Sequence, residues 1–99
     1  MDKKINLNNT FKKRSKIDVI YDILKIIYQN NNFIAPTKLM RTCNLSFQMF
    51  SDYIEDLKQK GFIHENKKGK RSNYSLSIKG QNFFFKFKEF QKFLDEFGF

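Results

Sequence analysis

The sequence predicts a mainly α fold with a small β-hairpin, and three stretches carry the prediction. Residues 17–29 form an Ile-rich segment with a narrow polar stripe, and residues 74–78 alternate apolar with Ser behind a Gly-containing basic loop. The third is a long Phe-rich helix that follows the hairpin and ends the chain. Ninety-nine residues suit one compact domain and exclude most multi-part enzymes. A hydrophobic content of 40% is enough to close a core, and a chain of this length buries roughly two-thirds of its unfolded surface.

Taken in order, residues 1–14 carry Lys3, Lys4, Lys12, Lys13 and Arg14 against Asp2 alone, with an Asn-rich centre and little periodicity. They read as a flexible basic N-terminal arm. From Ser15 the pattern changes. Only Asp18, Asp22, Lys25 and Gln29 are polar within the first helix, at spacings of four, three and four, so they share one stripe of a helix capped by Ser15. Apolar around most of its girth, that helix is expected at the centre of the domain. Asn30 to Asn32 end it, and Pro36 suits the first turn of a second, short helix reaching Cys43. Asn44 and Leu45 make a tight turn before Ser46, which caps a third helix with Phe50, Tyr53, Ile54 and Leu57 inward and Gly61 as its stop.

Two short helices joined this way read as a helix-turn-helix. A hairpin follows, with Phe62 to Asn66 opposed to Tyr74, Leu76 and Ile78 across a basic tip of residues 67–72, and in a three-helix setting it is a wing. Ser77 caps the last helix, about residues 78–97. There Phe83, Phe87, Phe90, Leu94 and Phe97 recur at spacings of four, three, four and three, the seam of a coiled coil.

Nineteen Lys and Arg against ten Asp and Glu give a formal charge of +9, which points to a polyanionic partner, double-stranded DNA first. No apolar run reaches the roughly 18 residues of a membrane-spanning helix, and residues 1–16 hold no hydrophobic segment of signal-peptide type. A soluble, cytoplasmic, nucleoid-associated protein with no membrane partner is expected. The single cysteine, Cys43, excludes an internal disulfide, and with His64 as the lone histidine no structural metal and no cofactor are expected. Cys43 reads as a small buried residue and His64 as a strand residue.

At the residue level, Arg14-Ser15-Lys16 before the Ile-rich helix, Asn44-Leu45-Ser46 opening the third helix, Lys60-Gly61-Phe62-Ile63 before the hairpin and Leu76-Ser77-Ile78-Lys79-Gly80 after it form a specific set. Together they resemble the archaeal winged helix-turn-helix family of small basic DNA-binding proteins that dimerise through a C-terminal helix, over about residues 14–97. The resemblance implies DNA binding, a homodimer, a role in transcription control or chromosome organisation, and no catalytic activity. The final helix departs from that family in being short and unusually rich in Phe.

The domain plan is then a basic arm at 1–14, a winged helix-turn-helix domain at 15–78 and a dimerisation helix at 79–99. Candidate base contacts on the third helix are Ser46, Gln48, Met49 and Asp52, Gln48 because an amide can pair with adenine. Asp52, Glu55 and Asp56 make that helix acidic, so the affinity is expected elsewhere. Lys67, Lys68, Lys70 and Arg71 crowd the wing tip and suit phosphates or the minor groove. Lys12, Lys13 and Arg14 of the arm, and Thr37, Lys38 and Arg41 of the second helix, are further candidates for backbone contact. For each group the alternative is an ordinary solvated surface.

The Phe83, Phe87, Phe90, Leu94 and Phe97 stripe is the candidate dimer contact, the alternative being that Phe83, Phe87 and Phe90 fold back on the first helix within one chain. No paired carboxylates beside a pocket-forming pattern and no Gly-rich phosphate loop appear, so an enzyme is not expected. A homodimeric regulator is the main reading; a chromatin protein with little sequence preference and a protein-interaction module are the alternatives.

Overall fold

A computed structural model describes residues 14–99. It contains α1 (Lys16–Gln29), α2 (Pro36–Thr42), α3 (Phe47–Gln59), β1 (Ile63–Lys68), β2 (Arg71–Leu76) and α4 (Ile78–Glu96). This is the mainly α fold with one hairpin, in winged helix order.

Three serines start three helices. Ser15 Oγ accepts from the Asp18 N–H while Asp18 accepts from the Ser15 N–H, a reciprocal capping box. Ser46 Oγ accepts from Met49 N, and Ser77 Oγ from Gly80 N. Helix α1 is the hub: Val19, Ile23, Leu24 and Ile27 are at most 1% exposed, and it packs on α2, β2 and α4. Leu39 of α2, Phe50, Ile54 and Leu57 of α3, and Ile63 and Leu76 of the hairpin close the same core.

The loops are shaped by backbone conformation. Asn31, Asn32, Asn44 and Gly61 all have positive φ, the region Gly and Asn tolerate best. Asn32 does a second job. Its Oδ1 accepts from Leu76 N (2.7 Å) and its Nδ2 donates to Leu76 O (3.4 Å), and next to it Ile34 pairs antiparallel with Tyr74. The connection between α1 and α2 therefore lies alongside β2 as a third strand one residue long, which no periodicity announces.

Two expectations are corrected here. The wing strands run further than the alternation suggested: β1 reaches Lys68, β2 starts at Arg71, and Lys68 pairs with Arg71 across a two-residue Gly69-Lys70 turn. Positive φ at Gly69 alone of that pair is the pattern of a type II′ turn. Hence Lys67, Lys68 and Arg71 sit on strands, and only Lys70 is in the loop. Ile78 opens α4 as the capping by Ser77 predicted, but the inward alternation expected of it with Tyr74 and Leu76 fails: it is 76% exposed.

The aromatic seam of α4 also sits differently. Phe84, outside the predicted stripe, is the side chain buried against α1, with its ring 5.5 Å from Tyr21 and 5.3 Å from Tyr28. Phe83 and Phe87 flank it, half-buried on Phe62 and Tyr21. Gly80 lets this happen, because a Cβ there would lie 2.1 Å from the Phe62 carbonyl oxygen. Beyond Phe87 no residue of α4 or of the turn after it is buried: Phe90, Phe93, Phe97 and Phe99 are open to solvent and Leu94 is half-exposed.

Candidate nucleic-acid interface

Helix α3 presents its N-terminal turns to solvent because Phe50, Ile54 and Leu57 hold its opposite face in the core. Phe47, Gln48, Met49 and Asp52 are all exposed. Gln48 Nε2 donates to Asp52 Oδ1 at 3.0 Å, one turn along the helix. Ser46 is exposed too, but its Oγ is engaged as the cap.

The acidity of α3 is largely compensated from within the chain. Lys60 donates to Asp56, with Lys16 4.0 Å from its other oxygen, and these cations hold the Asp56 carboxyl below its ordinary range. Lys58 donates to Glu65 of β1 at 2.8 Å and lies 3.5 Å from Glu55. Through that hydrogen bond Glu65 is pulled down and Lys58 up in pKa.

The Lys58–Glu65 pair also ties α3 to the wing, and the Phe50–Tyr74 contact, rings 6.2 Å apart and 62° inclined, does the same at the base. Helix and hairpin are thus set in one frame. Sequence reasoning missed Lys58, Glu65 and Tyr74 as positioning groups; only their distance in the chain concealed them.

At the wing, Lys67, Lys68, Lys70 and Arg71 are all exposed. None is within salt-bridge distance of a carboxylate among the described residues, although Lys67 shares the Glu65 field. Side chains alternate along a strand, so Lys68 and Arg71 lie directly opposite each other on the outer face, beside His64, Asn66, Asn73 and Ser75. Asn66 Nδ2 donates to Asn73 Oδ1 and Ser75 Oγ across the ladder.

The remaining candidates lie on segments other than α3 and the hairpin. Thr37 is exposed, Arg41 is exposed and forms no ion pair among the described residues, and Lys38 donates to Asn30 Oδ1 at 3.1 Å. Arg14, predicted in the arm, is turned onto the body: it bonds Asp22 (3.1 Å) and the Cys43 carbonyl (2.9 Å), so its guanidinium is already occupied. Lys12 and Lys13 lie outside the described residues. Cys43 is buried, and burial with the Asp22 charge beside it pushes its thiol up to about 11.

No group of three or more His, Cys, Asp or Glu suited to a metal ion occurs among the described residues, and no described helix is long and apolar enough to cross a membrane.

A helix-turn-helix with a cationic hairpin fixed beside its second helix defines a class of protein whose fold is that of DNA-binding modules. The family model for winged helix-turn-helix proteins matches residues 13–95, and the chain belongs to that family, which is not a family of enzymes. It is similar to an uncharacterized protein of Methanocaldococcus jannaschii, 42% identical over 55 residues, a match that spans 56% of this chain and 55% of the relative. Among solved structures, Sso10a-2, a DNA-binding protein from Sulfolobus solfataricus, superposes with a TM-score of 0.71 at 18% identity, covering 85% of both chains. F93 from STIV, a winged-helix DNA-binding protein, gives 0.71 at 22% identity over 81% of this chain and 92% of that one.

Proposed function

We propose that the chain binds double-stranded DNA as a homodimer and acts as a transcriptional regulator in the cytoplasm, with α3 in the major groove and the wing on the backbone or in the minor groove. One observation carries the reading. Lys68 and Arg71 face each other across the hairpin, next to Lys70, with no carboxylate in salt-bridge range among the described residues, and like charges directly opposite destabilise a ladder. A duplex phosphate relieves that repulsion, and counterion release then supplies most of the affinity. Lys12, Lys13, Thr37, Lys38 and Arg41 are proposed as peripheral contacts of the same kind. The Ala variant of Lys67, Lys68, Lys70 and Arg71 tests the reading; affinity and salt dependence equal to wild type overturn it.

Pairing of two copies is supported by α4 and the residues after it, where Phe90, Phe93, Phe97 and Phe99 are 52, 52, 66 and 88% exposed. Contiguous aromatic surface of this kind seeks cover in water, and Phe90, Leu94 and Phe97 are the proposed contacts, with Phe83 and Phe87 at the inner end.

A second reading, a nucleoid protein that coats DNA with little preference, is favoured by the three carboxylates of α3. Footprinting separates the two: a regulator protects a discrete site, a coating protein protects the whole fragment.

A further inference from the structure

We propose that α3 reads A·T pairs, with Gln48 on adenine and with Phe47 and Met49 on thymine methyl groups. This deepens the DNA-binding reading above and rests on it.

The first argument is chemical exclusion. Guanine is recognised in the major groove chiefly by Arg or Lys on its O6 and N7, and α3 holds no cation before Lys58. Lys58 is engaged by Glu65 and Glu55, and the following Lys60 by Asp56. What the helix does offer at its exposed N-terminal turns is apolar and amide: Phe47 is 74% exposed and Met49 46%, with Gln48 between them. Apolar side chains there complement the C5 methyl of thymine, the one apolar group on the major-groove edge.

The second argument is orientation. An ionised carboxylate only accepts hydrogen bonds, so the group of Gln48 that lies 3.0 Å from Asp52 Oδ1 is the amide nitrogen. That contact uses one N–H and fixes the amide. The amide keeps its carbonyl oxygen and its second N–H to offer to a base, the acceptor and the donor that adenine N6 and N7 require. Asp52 is thus a positioning residue, which explains why a carboxylate stands on a face turned toward phosphates.

The test begins with a preferred duplex selected from a randomised pool by the full chain. Expected are A·T pairs at its contacted positions, and a loss of roughly fourfold for each contacted thymine replaced by uracil, which removes a methyl and nothing else. Phe47→Ala with Met49→Ala should erase that difference, and circular dichroism confirms the fold. Replacing adenine by 7-deazaadenine should weaken wild type and leave Gln48→Ala unaffected. Asp52→Ala should reduce the adenine preference while total affinity holds or rises, because a charge repelling phosphate is gone; a purely structural Asp52 would lower both.

Equal binding to thymine and uracil duplexes, or selection of G·C pairs, overturns the base assignment and leaves the DNA-binding reading standing. Failure to bind any duplex at low salt removes that reading and the assignment together.

Discussion

Removing the four wing cations should change the salt dependence of DNA binding by a definite amount. Lys68, Lys70 and Arg71 are exposed and have no carboxylate in salt-bridge range among the described residues, whereas Lys67 shares the field of Glu65. Three full phosphate contacts are therefore counted. At about 0.9 in slope per contact, the slope of log affinity against log salt falls by about 2.7 for each wing engaged, so between about 50 and about 200 mM salt wild type should lose roughly 40-fold more affinity per wing than the quadruple Ala variant.

Folding stability should move the other way. Deleting the opposed Lys68 and Arg71 removes a like-charge cross-strand pair, and the hairpin should gain about 0.5 kcal/mol. Fluorescence anisotropy across a salt series gives the slope, and urea unfolding followed by circular dichroism gives the stability. Parallel salt lines for the two proteins would refute the reasoning, as would a variant whose weaker binding tracks a loss of fold.

The aromatic helix should divide into two kinds of residue. Phe84→Ala, by emptying the contact with Tyr21 and Tyr28, should cost about 3 kcal/mol in urea unfolding, while Phe90→Glu with Phe97→Glu should keep the fold and lower the light-scattering mass from two subunits to one. Gly80→Ala should destabilise by about 2 kcal/mol, since its Cβ meets the Phe62 carbonyl; a Tm equal to wild type would contradict this. The depressed Glu65 carboxyl contributes stability that is present above its ordinary pKa and lost as pH falls through its lowered value. Accordingly the urea midpoint should drop more steeply in acid for wild type than for Glu65→Gln. Cys43, buried with its thiol pushed up to about 11, should react with a thiol reagent at pH 8 only as fast as the protein opens, and at full speed in denaturant.

Local signals carried most of the fold. Ser15, Ser46 and Ser77 cap as expected because their role depends on three neighbouring residues, and α1 is central because its apolar girth leaves no alternative. What escaped depends on contacts between distant segments. The Phe stripe has ideal heptad spacing, yet the crossing with α1 selects Phe84, because Tyr21 and Tyr28 meet the helix there. The wing cations were legible as a charge run but their placement on strands was not, since Lys67, Lys68 and Arg71 have no apolar partners to mark a register. Arg14 read as part of a free arm, and its bonds go to Asp22, eight residues on in α1, and to the Cys43 carbonyl, 29 residues on at the end of α2.

The grip of Asn32 and Ile34 on β2 makes the hairpin a cantilever. Its root, at Tyr74 and Leu76, is clamped on both sides, while outward from Asn66 and Asn73 only the ladder itself supports it. Amide hydrogens at positions 74 and 76 should exchange slowly and those around Gly69 fast, so the far end can bend without disturbing the helices at its base.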